Sequence, residues 1–416
     1  APTGSRMNSS PTSWRSLEPS PLRTRTRTPS PRADRRVSRP LRVLALEPFF
    51  DGSHRAALEV WARKVPAEWT LLTLPGRHWK WRMRGAAAYF ASRPELAADF
   101  DLVFATSFVP LAEMVGLAPK LAAVPKVLYF HENQLAYPSR SDTRDPKDHH
   151  FGMTQLVSGL CADALWFNSA YNRDSFVEAG RQLLQRMPDR VRPGWIAEIE
   201  QRSAVVPVPL DLPDLTADAL DREPSRLGAD GPLLLWAHRW EHDKGPDLWA
   251  DCVANLAREG WLFRVALAGQ RFRTVPPAIE RLRADWPDRI VHAGFLERSE
   301  YEATLMQADV AVSTARQEFF GISMLEATHF GARPLVPDGL AYPELYRRQY
   351  RYPPGQPTGA LRELLRRWHA GERLRGDRRH LTAPFHEPAW ASASARFEAL
   401  VGGRSSARPS GSLQSP

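Results

Sequence analysis

The chain has 416 residues, 43% of them hydrophobic, a formal net charge of +9 and two cysteines. That length exceeds one ordinary core and supplies apolar residues for two, so two domains of about 150 to 200 residues with a cleft between them are expected. The basic balance suits a phosphate-rich partner, whether nucleotide, nucleic acid or anionic membrane surface, whereas Cys161 and Cys252, far apart in apolar helical contexts, argue against a disulfide framework or zinc site and for the reducing cytoplasm.

Residues 1–40 interleave Arg23, Arg25, Arg27, Arg32, Arg35 and Arg36 with Thr, Ser and Pro and show no apolar periodicity, so they read as a disordered arm. The arm lacks the apolar stretch of a secretory signal, and a solvated tail fits it better than a transit peptide. No apolar run approaches the length of a membrane span. From Leu41 short apolar runs alternate with helical stretches: Leu41 to Leu46, Trp69 to Leu74, Asp101 to Ala105, Val127 to Phe130, Ala164 to Phe167 and Ala204 to Val208. This alternation predicts a parallel sheet over a first domain, 41–212. Asn168-Ser169 offers a helix cap before Tyr171 to Ala179. Pro, Asp and Gly accumulate from Pro207 to Pro232, where the linker is placed. The pattern restarts with Leu233 to Ala237, Phe263 to Ala268, Ile290 to Ala293, Val310 to Ser313 and Pro334 to Pro337, giving a second domain over 232–385. An amphipathic helix over 386–401 and a disordered tail over 402–416 complete the chain. The fold class is α/β: two Rossmann-like domains whose parallel sheets face across a cleft.

In such sheets ligands bind beyond the carboxyl ends of the strands, so the residues just after each run carry the chemistry. Glu318 and Glu326 stand eight apart around Phe320, Gly321 and Ile322. If Gly321 opens a helix, its free N–H groups face a diphosphate, Glu326 accepts from ribose hydroxyls and Glu318 reaches the sugar. A surface pair of carboxylates around a buried apolar stretch has the same spacing. Arg239 and Lys244 share the loop after Leu233 to Ala237 and can stabilise charge growing on a leaving phosphate without a metal. In the first half, Gly52 and Ser53 precede a helix and let backbone N–H groups approach a phosphate or sugar, with His54 facing the cleft. His131, Glu132, Asn133 and Gln134 follow an apolar strand as four consecutive hydrogen-bonding side chains. Trp79, Lys80, Trp81, Arg82 and Arg84 form a candidate cleft loop, either stacking sugars and bases or capping the core with snorkelling arginines.

The Glu318-to-Glu326 segment with Arg239 and Lys244 resembles the pattern of the retaining GT-B family GT4. Glu47-Pro-Phe-Phe-Asp-Gly-Ser-His, Leu74-Pro-Gly-Arg-His-Trp-Lys-Trp-Arg, Tyr129-Phe-His-Glu-Asn-Gln-Leu-Ala-Tyr-Pro and Phe167-Asn-Ser-Ala-Tyr-Asn-Arg-Asp-Ser-Phe resemble the tRNA-queuosine alpha-mannosyltransferase family. The resemblance covers Leu41 to Val401. It implies transfer of mannose from GDP-mannose to queuosine in a tRNA anticodon, with retention, no obligatory metal and no catalytic carboxylate nucleophile. By that resemblance Arg239 and Lys244 hold the diphosphate, Glu326 the ribose and Glu318 the sugar hydroxyls, with Phe320, Gly321 and Ile322 at the donor. His131 sits beside the reacting sugar, Gly52 approaches the donor phosphate, and Ser53, His54, Trp79, Trp81, Arg82, Glu132, Asn133 and Gln134 form the acceptor side. The chain departs from the family at Asp51, where a second glycine is usual, and at Thr328-His329-Phe330, where small residues are usual. A GT4-type enzyme with a lipid or small-glycoside acceptor would need an amphipathic membrane-seeking helix, and none is seen near the first domain. A non-catalytic tRNA-binding protein on the same scaffold would not need Glu318, Glu326, Arg239 and Lys244 together. A nucleotide-sugar epimerase would act on free donor.

Overall fold

The computed structural model describes residues 39–137, 149–215, 231–269, 275–372, 374 and 387–405. Most of the Arg-rich arm, the linker segment 216–230 and residues 406–416 of the expected tail lie outside them. Two six-stranded sheets form the frame. The first has the order β2-β1-β3-β4-β5-β6, with β1 (Leu41–Phe50), β2 (Ala67–Pro75), β3 (Leu102–Thr106), β4 (Lys126–Phe130), β5 (Ala164–Phe167) and β6 (Ser203–Val205). The second has the order β12-β11-β10-β7-β8-β9, with β7 (Leu233–Ala237), β8 (Arg264–Ala268), β9 (Ile290–Gly294), β10 (Val310–Val312), β11 (Arg333–Pro337) and β12 (Arg351–Tyr352). The strand pairs are parallel in both sheets. β3, β4 and β7 are buried along their whole length because helices cover both faces, and this explains their unbroken apolar runs.

The strand order reverses between β1 and β3 in the first sheet and between β7 and β10 in the second. Each reversal opens a crevice at the carboxyl ends of the strands, where crossover connections leave in opposite directions. Helices α1 (Gly52–Lys64), α2 (Trp79–Ala91), α3 (Leu111–Leu117), α4 (His149–Cys161), α5 (Ala170–Gln185) and α6 (Trp195–Gln201) serve the first sheet. Helices α7 (Pro246–Arg258), α8 (Pro277–Asp285), α9 (Arg298–Gln307), α10 (Ile322–His329), α11 (Tyr342–Leu345) and α12 (Pro357–His369) serve the second. Ser169 caps α5, its hydroxyl accepting from Asn172 N–H at 3.0 Å. Pro246 opens α7 after Gly245, whose φ of +64° is left-handed and whose added Cβ would lie 2.2 Å from Thr314 O, so only glycine fits there.

The last helix, α13 (Glu387–Ser405), runs four residues beyond the expected end at Val401. Phe397 is fully buried, stacked on Trp166 at 5.0 Å between ring centroids and edge-on to Phe104 at 6.0 Å and Trp69 at 6.1 Å. The chain therefore returns from its second sheet to finish the core of its first. Hydrogen bonds also join the two halves: Ser169 Oγ donates to Phe319 O at 2.6 Å, and Glu344 accepts the Ala170 and Tyr171 N–H groups at the start of α5. Among the described residues no helix is long and apolar enough to cross a membrane.

Candidate active site

A cleft of about 920 Å³ lies at the carboxyl ends of both sheets and takes side chains from each half. On the second half, β7 ends in Ala237 and delivers His238 and Arg239 to the cleft, while a short turn at His242–Lys244 brings Lys244 to the same wall. The Lys244 ammonium donates to Gln317 O at 2.9 Å and lies 3.3 Å from Glu318 Oε2 and 3.1 Å from Asp243 Oδ2. Burial disfavours its charge, but Glu318 and Asp243 more than compensate and raise its pKa. Burial would likewise raise Glu318, yet Lys244, His238 and the Phe320 N–H bring its carboxyl below the ordinary range. Arg239 pairs with Glu241 at 3.2 Å and keeps 45% of its side chain exposed, so it can meet a ligand.

Gly321 caps α10 in the left-handed region, φ +91°, as the expected helix opening requires. Its N–H, however, donates to Glu318 Oε1 at 3.1 Å, and the Phe320 N–H does so at 3.3 Å. These two amides are thus taken by the chain's own carboxylate rather than left open. Ile322 and Ser323, on the first turn, line the cleft instead. Glu326 lies deeper on α10, where Oε1 accepts from Arg298 at 2.7 Å and Oε2 from the Tyr301 hydroxyl at 3.3 Å. Thr328-His329-Phe330 closes that helix: Thr328 bonds Met324 O, and His329 reaches Pro213 O at 2.7 Å, tethering the start of the interdomain connection.

On the first half, Asp51 is the N-cap of α1, its carboxylate accepting from Gly52 N–H at 2.8 Å. The loop closes around it because Gly76 has no side chain; a Cβ there would sit 2.1 Å from Asp51 Cβ. Gly52 itself has φ +48° with open space beside it. Gly52, Ser53 and His54 form the first turn of α1 and line the cleft, as do His131 and Glu132 beyond β4. The His54 and His131 rings lie 4.1 Å apart, tilted by 30°. Burial, then the neighbouring His54, holds His131 well below its ordinary pKa, so its imidazole is neutral. Glu47, His54 and His131 place three potential metal-ligand atoms within 4.8 Å of one another. Within the cluster His54 Nδ1 meets Glu47 Oε2 at 3.1 Å, and the two imidazoles rest against each other.

Several expected positions fall elsewhere. Trp79 to Arg84 is not a loop but the first half of α2, because Trp79, Met83 and Phe90 form one apolar stripe at helical spacing. Trp79 stacks on Phe108 at 5.9 Å and meets Phe151 at 5.3 Å, as a packing residue, while Trp81 is 69% exposed; neither lines the cleft, and nor does Arg82. Asn133 is fully buried and donates to Asn172 and Ser175, and Gln134 bonds Glu132 and Gln155; both support the wall from behind. Glu47 to Phe50 belongs to β1 rather than to a loop, since β1 stays paired with β2 as far as Phe50↔Pro75. Cleft residues that sequence reasoning missed include His238, Phe295, Arg298 and Tyr301. His238, Phe295 and Arg298 lie within four residues of a strand's carboxyl end, so the strand-end rule already pointed to them.

Residues 42–210 match the family model described as tRNA-queuosine alpha-mannosyltransferase N-terminal, and residues 218–366 match glycosyl transferases group 1. The chain is 35% identical over 321 residues to the tRNA-queuosine alpha-mannosyltransferase of Drosophila melanogaster, spanning 74% of this chain and 83% of that protein. Sucrose-phosphate synthase from Thermosynechococcus elongatus superposes with a TM-score of 0.61 at 15% identity, over 88% of this chain and all of that one. Anabaena Alr3699/HepE in complex with UDP superposes with a TM-score of 0.57 at 16% identity, over 88% of this chain and 99% of that one. At such identities these structures establish the shared fold, the GT-B arrangement of two Rossmann-like halves. With its two sheets, its cleft and these sequence matches, the chain belongs to the tRNA-queuosine alpha-mannosyltransferase family and is a glycosyltransferase that uses a nucleotide-sugar donor.

Proposed function

We propose that this enzyme transfers mannose from GDP-mannose to a hydroxyl of queuosine in a tRNA anticodon, with retention at the anomeric carbon. The observation that carries the reading is the pairing of two cations, Arg239 and Lys244, on one wall of the cleft with a neutral His131 on the other. The name of the Drosophila relative supports mannose and queuosine as the sugar and the acceptor. Arg239 and Lys244 oppose the charge that grows on the diphosphate as its bond to the sugar breaks, and Ile322 and Ser323 present backbone N–H groups to the same phosphates. Glu318, oriented by Lys244, accepts from sugar hydroxyls, and Glu326 accepts from the ribose. Gly52 lets the backbone approach the donor phosphate, and His131 lies beside the sugar. The acceptor hydroxyl forms the new bond on the face the phosphate leaves, and its proton passes to a phosphate oxygen, so the leaving group is also the base. Fixed cations do the work of a metal, and EDTA is expected to leave turnover unchanged. A tRNA acceptor and the two free cysteines, Cys161 and Cys252, fit the cytoplasm.

Purified protein incubated with GDP-mannose and queuosine-containing tRNA is expected to add one hexose to the modified nucleoside, read by mass spectrometry of digested tRNA. UDP-glucose, or tRNA lacking queuosine, is expected to give none. No hexose gain with any nucleotide sugar would overturn the acceptor, and gain with another donor alone would overturn GDP-mannose.

A further inference from the structure

Glu47 is fully buried, and none of the roles above uses it. It lies on β1 beside the strand-order reversal of the first sheet. Its Oε1 accepts from Phe49 N–H at 2.6 Å, and its Oε2 lies 3.1 Å from His54 Nδ1. The His54 ring is gripped on its other sides by Phe49, Phe108 and His131, with centroids 5.7, 5.4 and 4.1 Å away. Since Nδ1 is committed to Glu47, Nε2 is the ring nitrogen without a partner among the described residues, on a ring that lines the cleft.

A carboxylate removed from water needs a charged or strongly donating neighbour, and the nearest one for Glu47 is His54. Two stacked imidazoles cannot both be charged cheaply, so one proton serves the pair, and Glu47 decides where it resides. The charged groups facing His54 are Glu47 on β1, Glu132 beyond β4 and Arg239 beyond β7, with the neutral His131 against its ring. The carboxylates favour the imidazolium; Arg239 opposes it. Burial lowers the His54 pKa, but Glu47, joined by Glu132, carries it above the ordinary value.

We propose that Glu47 is a positioning residue whose bond to Nδ1 fixes His54 as a cation on the first-half wall, with Nε2–H offered to a phosphate oxygen and the stacked His131 left neutral beside the sugar. This rests on reading the cleft as the nucleotide-sugar and RNA site. The phosphate is either that of the donor or that of the RNA backbone, and the two sources separate kinetically.

The test uses the full chain and Glu47→Gln, which keeps the acceptor for Phe49 N–H and removes the charge. Histidine side-chain NMR across pH is expected to show the His54 midpoint falling by about one unit or more in Glu47→Gln and that of His131 rising. Because charged His54 is the active form, the alkaline limb of kcat/KM moves to lower pH, an approximately tenfold loss on that limb for each unit moved. A raised KM for GDP-mannose alone assigns the phosphate to the donor; a raised KM for tRNA alone assigns it to the RNA. His54→Gln is expected to lose the alkaline limb altogether, and adding Glu47→Gln to it is expected to cost nothing further in rate. Should Glu47→Gln fail to fold, the limb in His54→Gln decides. An unmoved His54 midpoint, or an alkaline limb that persists in His54→Gln, overturns the proposal. The titrations are read without substrate, so they stand even if queuosine is not the acceptor.

Discussion

Lys244→Met isolates one cation of the cleft wall. The methionine keeps most of the stem but removes an ammonium that lies 3.3 Å from Glu318 and 3.1 Å from Asp243. Two neighbouring buried carboxylates then lose their shared counter-charge. Removing one partner of a buried pair costs about 3–5 kcal/mol, and at about 2–4 °C per kcal/mol for domains of this size the melting temperature should fall by roughly 10 °C. Catalysis should suffer separately, because loss of one preorganised group facing the transition-state charge costs about 10²- to 10³-fold in kcat. The double variant Lys244→Met/Glu318→Gln tells the two effects apart. It removes the orphaned charge and is expected to recover at least half of the lost stability, with Asp243 still accepting from the Tyr137 hydroxyl at 3.2 Å. Turnover should stay lost. Calorimetry and initial rates of hexose transfer measure both. A Lys244→Met rate within about threefold of the parent, or a double variant that regains activity, would refute the role given to the cation. The pair also has a pH signature. Glu318 is depressed in the fold, so its contribution is present above its ordinary pKa and is lost as pH falls through the folded value.

Other consequences are equally direct. Arg298→Ala leaves Glu326 with the Tyr301 hydroxyl as its remaining side-chain partner among the described residues; the donor KM should rise roughly tenfold, about 1.4 kcal/mol, with kcat little changed, and an unaltered KM would count against α9 touching the donor. Burial, then Lys244, presses His238 down to about 4, so it is neutral in the fold and charges first in the unfolded chain. Its contribution is complete above its ordinary value of 6.5 and is lost towards 4, up to about 3 kcal/mol, and urea unfolding at stepped pH should show a shallower acid decline in His238→Asn. Arg77 and Trp81 are exposed at and just before the start of α2, on a stretch rich in cations. Replacing both by alanine should raise the KM for tRNA, leave that for donor alone and lower the salt slope of binding by about 1; unchanged tRNA affinity would exclude this face from RNA contact.

The parallel strands were legible because buried β-strands announce themselves as short apolar runs, and β7 appears at the expected residues. Arg239, Lys244, Glu318 and Glu326 were equally legible as a group, since all stand in segments that follow strand ends, and the fold lines one cleft with all four. What stayed hidden depends on contacts between distant residues. Trp79 and Trp81 look alike in sequence, yet one is packed against Phe108 and Phe151 from other elements and the other faces solvent. Glu47 looks like the start of a loop, but pairing with β2 extends the strand past it and buries it. Glu344 as the cap of α5 involves residues more than 170 positions apart, which no local pattern reports.

The helix that closes the first core is made long after the strands it covers. The strands of the first sheet are complete in sequence at Val205, yet Trp69, Phe104 and Trp166 keep an aromatic face open until Phe397 arrives. On the order of 190 residues separate those events, which at about 5–20 residues per second leaves that face uncovered for roughly 10–40 s of synthesis. A nascent chain of this enzyme thus passes through a long window in which its first half is nearly built and still sticky. Chains interrupted before α13 should reach chaperones or aggregates rather than fold as a free domain, so translation through α13 is itself a condition for a stable first-half wall of the cleft.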